Sequence, residues 1–210
     1  MGVKFSLLGA GIEAATPITR RTNVRVGFNA LSYSRNYNND GISYAGNLSF
    51  RSLESHFDWF PFGGSFHLSP GMMFYNGNKI TANAAVGGTQ SFTLGGTSYI
   101  SDPSNPVTGT GKIGFNSVAP SFLFGWGNLL PRNEHHISVP FELGFIYQGS
   151  PSATLNLTGN VCDSPGVNCR SIASDSTVLS NIQAQQTKLN SDLSFFKVYP
   201  IISIGFGYKF

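Results

Sequence analysis

Apolar and polar residues alternate with a period of two along much of this chain. The segment "FKVYPIISIGFGYKF", residues 196–210, places Phe196, Val198, Pro200, Ile202, Ile204, Phe206, Tyr208 and Phe210 on one side. Lys197, Tyr199, Ile201, Ser203, Gly205, Gly207 and Lys209 fall on the other. Successive side chains of a strand point to opposite faces, so this reads as one long two-faced strand. At about fifteen residues it exceeds the five or six usual in soluble proteins and covers the nine to eleven that cross a bilayer.

Six further segments carry the same signature. In "HISVPFELGFIYQG", Ile137, Val139, Phe141, Leu143, Phe145 and Tyr147 alternate against Ser138, Pro140, Glu142, Gly144, Ile146 and Gln148. "FHLSPGMMFY", "SFLFGW" and "NVRVGFNA" behave alike, and the first segment sets Leu8, Ala10, Ile12 and Ala14 against Gly9, Gly11 and Glu13. Residues 47–59 change phase between Phe50 and Leu53, which predicts a bulge near Arg51–Ser52. Pro70, Pro120, Pro140 and Pro200 each remove a ladder donor and predict further bulges or breaks.

The connections alternate in length. "TPITRRT", "FPFGG" and "NLLPRNEH" read as tight turns, whereas "SRNYNNDGISY" and residues 76–111 and 150–194 read as long loops. Short turns at one end and long loops at the other are the asymmetry of outer-membrane barrels, with the short side periplasmic. The expected fold is therefore all-β: an antiparallel up-and-down transmembrane β-barrel of about eight strands, a single domain over 1–210, with long extracellular loops. Only seven strands are legible. The eighth is expected either ahead of Met1 or inside a long connection, and alternation then runs the first segment downward with its amino end outside. Within the loops, "SFTLGGTSYIS" predicts a hairpin about Gly95–Gly96. Leu179, Ile182, Gln186, Leu189 and Leu193 form a helical stripe capped by Asp175 or Ser176, which predicts a short amphipathic helix before the last strand, on the membrane surface or over the barrel mouth.

Composition sharpens this picture. Charged residues make up 11% and aromatics 13%, with 25 Gly and a mean hydropathy of −0.02, against about 25% charged in ordinary soluble domains. No apolar run approaches the 18 or so residues of a membrane helix. A net charge of +3, scattered along the chain, gives no footprint for nucleic acid. Val3 to Ala15 already reads as strand, so no secretory leader is visible, and the chain is expected to be a mature or trimmed form.

On this alternation Glu13, Arg25, Arg51, Glu54, His56, Asp58, Glu142 and Lys197 all point away from lipid. A charge on the lipid face costs roughly 2–4 kcal/mol for Arg or Lys at mid-membrane, so these groups are expected to form a paired network in the lumen. A narrow ion or solute path through that network is the competing reading, since an eight-stranded interior is just wide enough for side chains to fill. Cys162 and Cys169, the two cysteines, flank a short Asp-Ser-Pro-Gly turn and are expected to form a disulfide. His136 and Ser138 resemble the His-x-Ser arrangement of lipid A deacylases, where a base activates a serine, but they follow a short turn and so lie on the wrong side for that substrate. "GTGKIG" matches a dinucleotide fingerprint in letters alone, lacking a strand before and a helix after. No catalytic residue, metal site or cofactor is expected.

The ending "SIGFGYKF", with aromatics at Phe206, Tyr208 and Phe210, resembles the terminal assembly signal of Gram-negative outer-membrane proteins. "GAGIEAATPITRRTNVRVGFN" resembles the strand–turn–strand of small barrels of the OmpA/OmpW-like class. The resemblance implies outer-membrane localisation, with membrane lipids and the barrel assembly machinery as partners. The expected role is structural in the envelope, with a narrow pore for small solutes as an extension. A lipid-modifying enzyme and a soluble lipocalin-like ligand-binding barrel are the alternatives.

Overall fold

The computed structural model describes residues 1–39, 41–131 and 136–210. In chain order the elements are β1 (Gly2–Ser6), β2 (Gly9–Thr19), β3 (Thr22–Asn39), β4 (Ile42–Trp59), β5 (Phe66–Asn76) and β6 (Lys79–Val86). Then come β7 (Ser91–Leu94), β8 (Thr97–Ser101), β9 (Thr108–Gly114), β10 (Ala119–Trp126), β11 (Ile137–Ser138) and β12 (Phe141–Tyr147). The chain finishes with β13 (Ser152–Thr158), β14 (Asn160–Cys162), β15 (Arg170–Ser171), α1 (Ser176–Leu193) and β16 (Val198–Tyr208). Eight of these strands close on themselves: β1, β2, β3, β4, β5, β10, β12 and β16 pair in that order, and β16 returns to β1. Every pairing is antiparallel between successive barrel strands, so the fold is the up-and-down barrel that the alternation predicts.

The eighth strand lies neither upstream of Met1 nor in a long connection. The opening segment is itself a hairpin, broken at Leu7–Leu8. There the Ser6 hydroxyl accepts from the Leu8 amide at 3.1 Å, a side-chain turn that alternation alone does not reveal. Gly9, at φ 109°, starts the return, and a Cβ there would lie 2.3 Å from the Ala30 carbonyl oxygen. Leu8 therefore points inward, and β1 begins on the short-turn side beside the end of β16.

Residues 47–59 hold one phase throughout, because β3 and β4 pair without a register shift from Asn39↔Ile42 to Thr22↔Trp59. Phe50 simply faces inward, edge-on to Tyr199 at 6.4 Å. The bulge belongs to β5, where Phe74 is the extra residue between the Leu53↔Tyr75 and Glu54↔Met73 pairs. Of the four prolines, Pro140 marks a break, between β11 and β12. Pro70 interrupts the β4–β5 ladder, which has no partners between His56↔Gly71 and Trp59↔Leu68, while it stays in the ladder with β10; Pro120 and Pro200 sit within continuous ladders.

"SRNYNNDGISY" is not a loop. β3 and β4, 18 residues each, continue as a ribbon past the barrel rim. The upper half of β4 passes to β6, then β9, then β13, extending the sheet beyond the barrel wall. A second sheet, β15-β14-β8-β7, and helix α1 complete a cap. The expected hairpin is β7–β8; Gly95 and Gly96 have φ of 59° and 86°, as a type I′ turn requires. Asp175 caps α1 by accepting from the Val178 amide at 2.9 Å. The helix docks on β13 and β7, where Asn190 accepts from the Ala153 amide at 2.7 Å and Gln186 from the Leu155 amide at 3.2 Å.

The cap has its own apolar core, including Val86, Tyr99, Val107, Val161, Ile172 and Val178, separate from the barrel cluster of Leu8, Met73, Leu123, Ile146 and Ile201. Cys162 and Cys169 form a disulfide within it. A loop this short implies about 2–3 kcal/mol by chain entropy, confined to the cap. Replacing both cysteines by serine is expected to speed proteolysis between residues 162 and 169 and leave the urea midpoint of the barrel unchanged, which limited digestion and barrel fluorescence together check.

The barrel's outer surface is apolar. Val3, Phe5, Ile12, Phe28, Phe57, Phe145, Ile202, Ile204 and Phe206 are all exposed. The 11 residues of β16 at about 3.3 Å each and a tilt near 40° span about 28 Å, close to the ~25 Å apolar band of membrane barrels. Trp59, Trp126 and Tyr208 mark its lower edge. A soluble ligand-binding barrel has the opposite arrangement, apolar within and polar without.

Candidate functional site

Inward-facing positions of the eight strands converge on a cluster of charge in the lower half of the barrel. Arg25 on β3 is at its centre. Its guanidinium reaches Glu13 of β2 at 3.1 Å, Asp58 of β4 at 3.1 Å and both carboxylate oxygens of Glu142 on β12, one at 3.0 Å. Four strands are thereby tied to one side chain. Lys4 of β1 bridges Glu13 at 2.9 Å and also holds Glu54 of β4. His67 of β5 donates from Nε2 to Glu142 at 3.1 Å, and Ser203 of β16 donates to the same carboxylate at 3.2 Å. Ser69 donates to Asp58 at 2.7 Å, Asn29 to Glu54 at 3.1 Å, and His56 meets the Ser121 hydroxyl at 3.1 Å.

All of these charged groups are 4% exposed or less. Four carboxylates (Glu13, Glu54, Asp58, Glu142) share two fixed cations (Lys4, Arg25), with His56 and His67 among them. Burial makes such an arrangement costly unless every charge is paired, and here shared partners meet that demand. Two buried polar atoms of the cluster, Arg25 Nε and Asn29 Oδ1, have no hydrogen-bond partner among the described residues.

Apolar side chains flank the cluster at both ends. Toward the short turns, Phe60 and Leu129 are buried, the Phe60 ring lying 5.3 Å from that of His67. Toward the cap, Leu8, Met73, Leu123, Ile146 and Ile201 fill the lumen, with Tyr199 against them.

Of the eight residues expected in the network, the structure brings together Glu13, Arg25, Glu54, His56, Asp58 and Glu142. Arg51 and Lys197 lie elsewhere. Arg51 is exposed on the outer face of β4 because the strand does not bulge, and Lys197 is exposed in the turn ahead of β16. Lys4 was missed because β1 was not separated from β2. His67 and Ser69 share the inward parity of β5 but carried no mark of partnership in the sequence.

His136 and Ser138 are engaged separately. His136 Nδ1 meets the Lys209 carbonyl at 3.0 Å while its ring stacks on Tyr208, and Ser138 donates to the Leu129 carbonyl at 3.4 Å. Phe206 and Tyr208 point outward on the closing strand, and Phe210 is exposed just past its end. In the cap, Asp102, Cys162 and Cys169 gather within 4.8 Å. Because both sulfurs are joined in the disulfide, they offer no thiolate to a metal. Arg170, paired with Asp163 at 2.7 Å and Asp175 at 2.8 Å, draws the Asp163 carboxyl below its usual range.

A closed eight-stranded up-and-down barrel, charged within and apolar without, defines the chain as a transmembrane β-barrel. Among solved structures it is similar to Acinetobacter baumannii CarO, at 19% identity and a TM-score of 0.60, with 100% of this chain and 96% of that one covered. It is likewise similar to Acinetobacter baumannii CarO2, at 18% identity and a TM-score of 0.61 over the same shares. Identity this low makes the likeness one of fold. No family model matches the chain, and no curated protein does.

Proposed function

We propose that this protein is a non-catalytic outer-membrane barrel of the OmpA/OmpW-like kind, whose lumen is a structural plug and whose cap is the part presented outside the cell. The carrying observation is the burial of Arg25 with Glu13, Asp58 and Glu142, flanked above and below by buried apolar side chains. An aqueous path would leave these groups in contact with water. In this reading the charges act as a clamp across the barrel wall, and the outward aromatics of the last strand serve the assembly machinery. The engagement of His136 and Ser138 with separate backbone carbonyls supports a non-catalytic role.

Planar-bilayer recording of the purified protein is expected to give a flat trace at neutral pH. Reproducible unitary steps, altered in size by Glu142→Gln, would overturn the plug in favour of a narrow solute path.

A further inference from the structure

The outward face of β4 changes character along its length. Trp59, Phe57 and Leu53 are apolar, Arg51 follows, and Ser49, Asn47, Ala45 and Ser43 continue beyond the barrel rim. Pairing carries that upper face across five strands. Successive rows read Ser32-Ser49-Lys79-Gly114-Ser152, Ser34-Asn47-Thr81-Lys112-Thr154, Asn36-Ala45-Asn83-Thr110-Asn156 and Asn38-Ser43-Ala85-Thr108-Thr158. No acidic residue occurs among them. The amides and hydroxyls are ordered by cross-strand bonds: Asn47 to Ser34 at 2.8 Å, Thr110 to Asn83 at 3.0 Å, and Thr108 with Thr158 at 2.9 Å. The opposite face is occupied, since Ile42, Val86, Leu155 and Leu157 pack into the cap's core.

Cations gather where the apolar band ends. Lys79 stands opposite Ser49 and so is diagonal to Arg51; it stands opposite Gly114 and so is diagonal to Lys112. Diagonal neighbours lie about 7–8 Å apart, within reach of long side chains. All three are exposed, and the salt bridges among the described residues engage other groups. A cluster of like charge at headgroup level calls for an anion.

One face thus presents an apolar wall, then three cations that lie outside the salt bridges of the described residues, and beyond them amides and hydroxyls that line a concave surface, among them Asn36, Asn38, Ser43, Asn83, Thr108 and Thr110. We propose that this face binds a phosphorylated glycolipid of the outer leaflet, its acyl chains on the barrel wall, its phosphates at Arg51, Lys79 and Lys112, and its sugars on that concave surface. The assignment rests on the outer-membrane reading above, since such a lipid meets the protein only there.

The test is binding of lipopolysaccharide to the full chain refolded in detergent micelles, beside dephosphorylated lipopolysaccharide and phosphatidylglycerol. Each basic residue near a membrane surface contributes about 1 kcal/mol toward anionic lipid, so the triple variant R51S/K79S/K112S is expected to bind lipopolysaccharide on the order of a hundredfold more weakly. Removing the phosphates is expected to weaken binding to the unaltered protein comparably, an arm that stands even where the triple variant misfolds. The charge-matched control R20S/R21S/K188S is expected to bind normally. Equal affinity for the dephosphorylated lipid, or for phosphatidylglycerol, would overturn the proposal, as would full binding by a folded triple variant. Cell fractionation tests the outer-membrane reading separately, so the two can fail independently.

Discussion

Arg25→Ala is expected to lose about 3–5 kcal/mol of barrel stability, enough to leave much of the protein unfolded in micelles. The size follows from what the guanidinium holds. Glu13, Asp58 and Glu142, from three other strands, all pair with it, and all three are buried. Most of the loss is the cost of buried carboxylates left without a counter-charge, rather than the worth of the ion pairs themselves. That distinction can be measured. Adding Glu142→Gln to Arg25→Ala removes one stranded charge and is expected to restore part of the stability, whereas Glu142→Gln alone is destabilising. Urea titration followed by the fluorescence of Trp59 and Trp126 gives all three values. Additive losses in the double variant would show that the two groups do not act as one unit.

A second expectation uses a single strand as a depth gauge. Phe57 and Ala45 share the outward face of β4, twelve residues apart. Phe57→Arg puts a guanidinium into the apolar band and is expected to cost about 2 kcal/mol, the low end of the mid-membrane figure, because Trp59 at the band's lower edge stands two residues away. Ala45→Arg, on the extension above the rim, is expected to stay within about 0.5 kcal/mol of the parent. Both variants introduce a guanidinium, and Phe57→Ala measured beside them subtracts the loss of the ring, so the contrast isolates the surroundings. Equal costs would mean that the band does not end where Arg51 stands. Refolding equilibria in phospholipid vesicles would decide it.

The barrel was legible wherever one strand kept one face apolar. β12 and β16 read directly, and the parity that placed Glu142 inward held through both. Legibility failed where a strand was too short or where an apolar side chain faced the interior. β1 has five residues and joins β2 through a two-residue turn, so two strands looked like one, and Lys4 was hidden with them. Phe50 looked like a lipid-facing residue out of phase, when it closes the lumen beside Tyr199; the imagined bulge then sent Arg51 inward. The long connections resisted for a different reason. β6, β9 and β13 are rich in Ala, Gly, Thr and Asn, residues that sequence reasoning assigns to loops, and they are strands because β4 offers an edge to continue.

That continuation has to stop somewhere, and it stops at β13. Beyond it lies helix α1, whose Asn190 and Gln186 take up the amides of Ala153 and Leu155. Without those two side chains the last strand would offer free main-chain donors to any passing peptide, including the same strand of a neighbouring molecule. The helix thus fixes the width of the exposed sheet and keeps neighbouring copies from zipping into one another.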